Sequence, residues 1–164
     1  MEILRTFSTK ARPGRVTSRP PATPLHTTTA RSTPYECKKF AKWMRSEYSF
    51  PIRVPVYFKN KVKLKCLDGD LAYGTCFLPD SYKDEPYIRI AVGDFPVIQE
   101  KWGIENALFS VFGILAHELT HDYQWINGLQ LTQIGKERQA SVYSKYITEE
   151  YSEIWDNVYF ERRV

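Results

Sequence analysis

Apolar residues recur at helical spacing in three stretches of the chain, and each stretch predicts a helix. The first covers residues 34–49 and begins with a proline in its first turn. The second covers residues 105–126 and ends at Asn127-Gly128, a pair that is typical of helix C-termini. The third covers residues 132–156.

Between the first two predicted helices, apolar and polar residues alternate, which is the pattern of half-buried strands. The predicted strands are residues 53–58, 61–67, 71–78 and 87–92. The turn signal Asp68-Gly69-Asp70 separates the second strand from the third. The sequence therefore predicts an α+β fold, in which an N-terminal helix, a small and mostly antiparallel sheet of about three to four strands, and two further helices follow one another.

The first 33 residues differ in composition from the rest of the chain. They contain six basic residues and many Ser, Thr and Pro, whereas Glu2 is the only acidic residue. Such a segment cannot bury enough apolar surface to fold alone. We therefore divide the chain into a basic arm, residues 1–33, and a folded domain, residues 34–164. The arm is interpreted as disordered, as ordered on an acidic partner or assembly surface, or as an organellar transit peptide, although Glu2 and the prolines argue against import.

Other features of the composition restrict the setting of the protein. The three cysteines form no C-x-x-C pair, which favours free thiols in a reducing compartment, although Cys66 and Cys76 could pair across a hairpin. No stretch resembles a membrane span or a signal peptide, so we expect an intracellular or virion-associated protein without a membrane partner. The formal net charge of +4 gives little support for nucleic-acid binding by the folded part. The alternating lysines at positions 59, 61, 63 and 65 are interpreted as a solvent-exposed strand face, or as charges that keep an edge strand from pairing with another chain.

The second predicted helix contains the motif His117-Glu118-Leu119-Thr120-His121, an H-E-x-x-H sequence. Residues four positions apart project from one face of a helix, so His117 and His121 can hold one metal ion between them. Glu118 can reach a water bound to that metal. This is the arrangement of a zinc hydrolase in which the glutamate is the general base.

A catalytic zinc takes three protein ligands and keeps one position open, and no His or Cys follows the motif. The candidate carboxylates for the third ligand are Asp122, Glu137, Glu149, Glu150 and Glu153. On the third predicted helix one apolar stripe is formed by Ala140, Tyr143, Ile147, Tyr151 and Ile154. Glu137 lies on that stripe, one turn before Ala140, and is the predicted ligand. Asp122 points away from the histidines and is assigned a supporting role.

These residues resemble a known family. The sequence HELTH followed by Gln124, and the sequence Glu137-Arg138-Gln139-Ala140 followed by Tyr143, resemble the gluzincin type of zincin metallopeptidase. The resemblance covers roughly residues 105–151. It implies a zincin minidomain that binds Zn²⁺ and hydrolyses peptide or protein substrates. It also implies that the strand before the motif helix, residues 87–92, pairs with an extended substrate.

Further roles follow from these positions. Tyr143 and Tyr146 are candidate donors to the developing oxyanion, and the sequence does not choose between them. Gln124 is expected to orient a metal ligand or to contact substrate, and Gly113 is expected to allow another element to pack closely. Two other functions remain open. The first is a non-catalytic component of a virion or ribonucleoprotein held by the arm, and the second is a nucleic-acid-binding module that works through the arm.

Overall fold

The computed structural model describes residues 33–67 and 69–160, and this part of the chain has an α+β fold. The helices are α1 (Thr33–Glu47), α2 (Phe95–Trp102), α3 (Ile104–Ile126) and α4 (Gln133–Phe160). The strands are β1 (Val56–Lys59), β2 (Leu64–Lys65), β3 (Leu71–Ala72), β4 (Gly74–Phe77) and β5 (Tyr87–Ala91). Helix α1 belongs to a compact unit that ends at Ser49, and all later elements belong to a second unit that begins at Phe50.

Helix α1 confirms the first predicted helix, with its C-terminus two residues short of the expected Ser49. Phe40 and Met44 lie one turn apart and are buried, as the aromatic and apolar stripe predicted. The basic arm, residues 1–33, lies outside the described residues except for Thr33, the first residue of α1. Within the part of the chain that is described, no helix has the length and apolar character needed to cross a bilayer.

The strands form two sheets, whereas the sequence predicted a single sheet. The first sheet has the order β1-β5-β4, in which β1 and β5 are parallel and β4 and β5 are antiparallel. Strands β2 and β3 form a separate antiparallel pair. The parallel pairing of β1 with β5 was missed because a parallel pair needs a long crossover connection, and alternation along a strand does not reveal its partner.

Helix α3 packs on one face of the three-stranded sheet, against both β4 and β5. In β5, Ile88 and Ile90 have no exposed surface, while Tyr87 and Arg89, which alternate with them, are half-buried. Because successive side chains of a strand point to opposite faces, the isoleucines are on the α3 side and the other two residues are on the opposite side. The sheet thus positions β4 directly beside the motif helix.

Helix α4 packs along α3 and confirms most of the predicted stripe. Ala140, Ile147 and Tyr151 are buried. Ile154 was wrongly placed on this face, because it is 38% exposed and Trp155, four residues after Tyr151, takes the buried position. The rings of Phe109 and Phe112 on α3 contact those of Tyr151 and Trp155 on α4. This aromatic cluster fixes the two helices that carry the candidate site.

Helix α2 was not predicted. Its apolar residues do not mark one buried face, because Val97 and Trp102 are exposed, so the periodicity that predicts a helix is weak here. The start signal was nevertheless present, because Asp94 occupies the N-cap position and Pro96 lies in the first turn. Gly103, at a φ of +88°, separates α2 from α3.

Candidate metal centre

The two motif histidines lie one turn apart in α3 and face each other. Their Nε2 atoms are 3.2 Å apart, and the ring centroids are 4.9 Å apart. Both rings are only partly buried, so that solvent or a ligand can reach them. The i, i+4 spacing therefore produces the convergence that the sequence predicted.

Helix α4 brings Glu137 to the same point. Its Oε2 lies 3.3 Å from His117 Nε2, and its Oε1 lies 3.4 Å from His121 Nε2. Gln133, one turn earlier in α4, donates a hydrogen bond of 3.3 Å to Glu137 Oε1. The structure thus brings together the three residues that the motif and the helical phase selected. Among the described residues, these are the His, Cys, Asp and Glu side chains that cluster closely enough to hold a metal ion.

The separations between these donor atoms suit a small divalent cation. Nitrogen and oxygen ligands bind zinc at 2.0–2.2 Å, so two ligands of a tetrahedral site are roughly 3.3–3.5 Å apart. The two Nε2 atoms are 3.2 Å apart, close to that range, and each has one Glu137 oxygen at a similar distance, Oε2 at 3.3 Å from His117 and Oε1 at 3.4 Å from His121. Burial and the neighbouring His121 also lower the pKa of His117, which favours the neutral imidazole that a metal requires. The donor set therefore fits a metal bound by two imidazoles and one carboxylate.

Glu118 lies beside this cluster in a tight, buried position. Its side chain is 7% exposed. A Cβ atom added at Gly74, the first residue of β4, would lie 2.5 Å from Glu118 Oε1 and 2.7 Å from Ile114 Cγ2. The β4 backbone therefore approaches α3 at a distance that only glycine permits, and it forms one wall around the Glu118 carboxylate.

The environment of Glu118 changes its acidity. Burial, and then the negative charge of Glu137, raise the pKa of Glu118 to about 7. A carboxylate whose pKa is close to neutrality can accept a proton and release it again at physiological pH. Because a cation held by Glu137 and the histidines opposes the charge of Glu137, the metal-bound form is expected to have a lower Glu118 pKa.

Gln124 links His121 to the helix that carries Glu137. Its Nε2 donates to Lys136 O at 2.9 Å and to Gln139 Oε1 at 3.0 Å, both on α4. With both amide hydrogens used on α4, Oε1 faces His121 Nδ1 at 3.0 Å and accepts its proton. This hydrogen bond fixes the tautomer in which His121 Nε2 is unprotonated and free to bind a metal. Gln124 thus makes the contact with a motif histidine that the first of its two expected roles requires.

Replacing Gln124 by leucine is expected to weaken zinc binding about 10- to 100-fold, since the ring of His121 then loses the acceptor that orients it. Zinc affinity can be measured by competition with a chromophoric chelator. Gln130→Leu is the matched control, because Gln130 is exposed and donates only to Gly128 O. Equal zinc affinity in Gln124→Leu and wild-type protein would contradict the assigned role.

Asp122 and Cys76 lie behind the site and do not join the cluster. Asp122 is fully buried, and neither of its carboxylate oxygens has a hydrogen-bond partner among the described residues. Burial raises the pKa of Asp122 to about 6. Burial also raises the pKa of the Cys76 thiol far above its usual value, and the carboxylates of Glu118 and Asp122 add to that shift. Cys76 is therefore a neutral thiol, which argues against thiolate chemistry here.

The two candidate oxyanion donors differ in position. Tyr143 is half-buried. It lies near Tyr123 of α3, whose pKa is raised first by burial and then by the nearby Tyr143. Tyr146 is 54% exposed. Neither the sequence nor these contacts place a tyrosine hydroxyl next to the His117, His121 and Glu137 side chains.

The three cysteines, including Cys66, are free, as expected.

Two expectations about packing near the site were wrong. Apart from its chain neighbours and the nearby backbone of α3 itself, no atom of the described residues lies within 4 Å of a Cβ added at Gly113, so none of the other described elements packs closely against it. Gly74 has that property instead, and it could have been found from the isolated glycine within a strand pattern. Strand β5 is also not available for pairing with a substrate, because it is hydrogen-bonded to β1 on one side and to β4 on the other. The strand at the edge of this sheet beside Glu118 is β4.

No protein-family model, curated protein or solved structure matches this chain. The functional inference therefore depends on the geometry of α3, α4 and β4.

Proposed function

We propose that the protein is a zinc-dependent peptidase of the zincin type. The observation that carries the proposal is the convergence of His117, His121 and Glu137, with Glu118 in the next helical position and walled in by β4. A purely structural metal site would have no need for a fourth, buried carboxylate beside its ligands.

Zinc is the metal that this donor set favours. Two imidazole nitrogens and one carboxylate form the ligand set of hydrolytic zinc sites in which a fourth position stays open for water. Glu137 is 49% exposed at its side chain, so the cluster lies at the surface where a substrate can reach it. A bound zinc would polarise the substrate carbonyl and lower the pKa of the attacking water.

Glu118 performs the proton transfers in this mechanism. Its carboxylate accepts a proton as the water oxygen bonds to the carbonyl carbon of the substrate. The protonated carboxyl group then gives that proton to the amide nitrogen as the carbon–nitrogen bond breaks. Burial by β4 keeps bulk water away from the carboxylate and holds it in one orientation.

Strand β4 is the proposed guide for the substrate. It is an edge strand of the three-stranded sheet, so one row of its backbone groups is available for pairing. Its first residue touches Glu118, so an extended peptide that adds to this edge passes beside the general base. Backbone pairing of this kind binds many sequences, which favours an unfolded or extended peptide as substrate.

The first test is the zinc content of the purified protein, measured by elemental analysis after zinc loading and desalting. We expect about one zinc per chain in wild-type protein. Glu137→Ala removes a ligand and should reduce retained zinc to a small fraction. Glu153→Ala is the control, because Glu153 is an exposed carboxylate farther along the same helix.

A wild-type protein that retains no zinc after loading would overturn the proposal. The same result would favour the alternative of a non-catalytic component of a larger assembly. Equal zinc content in Glu137→Ala and wild-type protein would instead show that the third ligand is a different residue.

A further inference from the structure

The three-stranded sheet carries a row of aromatic side chains on the face that points away from α3. Tyr57 of β1, Tyr87 of β5 and Phe77 of β4 belong to this face. The ring centroids of Tyr57 and Tyr87 are 6.3 Å apart, and those of Tyr87 and Phe77 are 4.8 Å apart. The rings therefore form one continuous aromatic row across all three strands.

These rings remain accessible although they contact one another. Tyr57 is 49% exposed and Phe77 is 38% exposed. The rings of Phe77 and Tyr87 are stacked at an interplanar angle of 17°, and Phe77 lies on the edge strand at the end of this stack. A further planar ring can thus extend the stack at Phe77 or lie on Tyr57. We call Tyr57, Phe77, Tyr87 and the intervening Arg89 the outer face.

The outer face also carries positive charge that no carboxylate of the described residues neutralises. Arg89 lies in the same cross-strand row as Thr75 and Tyr57, and its Nε donates to Thr75 Oγ1 at 3.1 Å. It forms no ion pair within the described ranges, although it is half-buried. Lys59, at the end of β1, holds its ammonium group 5.5 Å from the centroid of the Tyr57 ring.

The charges around the outer face favour an anionic ligand. The next lysines along the chain also form no ion pair among the described residues, although Lys61 and Lys63 precede β2 and Lys65 belongs to the separate β2–β3 pair. The carboxylate just before β5, Glu85, is paired with Arg53 at 3.4 Å. Arg89 and Lys59 therefore give this sheet two basic groups that no carboxylate of the described residues pairs with.

We propose that the outer face binds single-stranded nucleic acid, with bases stacked on Tyr57 and Phe77 and with phosphates near Arg89 and Lys59. A sheet face offers rings and charges but no free backbone groups, so it suits planar bases better than an extended peptide. Because α3 packs on the other face of the sheet, a metal at the candidate site and a ligand on the outer face can bind independently. The proposal does not depend on peptidase activity.

Binding is tested with the full-length protein, a short labelled oligothymidine, and an abasic strand of the same length and charge. Wild-type protein is expected to bind the thymidine strand at least tenfold more tightly than the abasic strand. Comparing the two strands removes the contribution of the basic arm, because the arm attracts phosphates equally in both. The double variant Tyr57→Leu/Phe77→Leu should bind both strands with the weaker affinity.

Trp102→Leu is the matched control, because Trp102 is an exposed aromatic residue on α2. Its binding should equal that of wild type. A second variant, Arg89→Gln, should reduce the dependence of log affinity on log salt concentration by about one. The proposal is overturned if wild-type protein binds the thymidine and abasic strands equally, or if folded Tyr57→Leu/Phe77→Leu keeps the wild-type preference. It is also overturned if polyglutamate displaces the strands as effectively as unlabelled oligothymidine, because the face would then be a general site for anionic polymers.

Discussion

Glu118→Gln is expected to lower kcat for peptide hydrolysis by about 10²- to 10⁴-fold while leaving zinc content unchanged. Glutamine has nearly the same shape as glutamate, so it can occupy the narrow space between α3 and Gly74. It cannot accept the proton of the attacking water, however. Hydrolysis of a mixture of unstructured peptides, followed by mass spectrometry, measures the loss over many peptide sequences at once.

The pH dependence distinguishes loss of the base from a general defect. Burial and the charge of Glu137 raise the pKa of Glu118 to about 7, and a bound cation lowers it from there. The carboxylate is active when deprotonated, so wild-type kcat/KM should fall as the pH drops through a value below 7. Glu118→Gln should lose this acidic limb. A variant that retains both wild-type activity and the limb would exclude Glu118 as the general base.

The sequence was most informative where one helix alone determines the geometry. The spacing of His117 and His121 is a property of any α-helix, so their convergence could be predicted without knowing the fold. Glu137 was found because its helical phase placed it beside the buried stripe of α4. The same argument placed Ile154 wrongly, since a small error in phase accumulates along a helix of seven turns or more.

Features that depend on two separate segments were missed. The parallel pairing of β1 with β5, the close approach of Gly74 to Glu118, and the aromatic row on the outer face each join residues from different strands or elements. Alternation shows that a strand has two faces, but it does not show which strand lies beside it. For the same reason the sequence predicts that β5 pairs with a substrate, whereas β5 is the central strand in the order β1-β5-β4 and β4 lies at the edge beside Glu118.

Gly74→Ala is expected to lower the free energy of unfolding by about 1–3 kcal/mol, because the added methyl group overlaps Ile114 and the Glu118 side chain. Either β4 moves away from α3 or Glu118 rotates out of its position. Both changes displace Glu118, the proposed general base, and a displacement of about 1 Å can lower kcat roughly 100-fold. Thermal unfolding and peptide hydrolysis measure the two effects on the same sample.

Gly113→Ala is the matched control, because it makes the same chemical change in the middle of α3, where no other described element lies within 4 Å of the new methyl group. Removing a glycine from a helix interior should raise the free energy of unfolding by about 1 kcal/mol and leave activity unchanged. If Gly74→Ala lowers the free energy of unfolding while Gly113→Ala raises it, the loss at position 74 comes from the close contact between β4 and Glu118 and not from replacing a glycine as such. A Gly74→Ala variant with wild-type stability and kcat would mean that β4 does not position the general base.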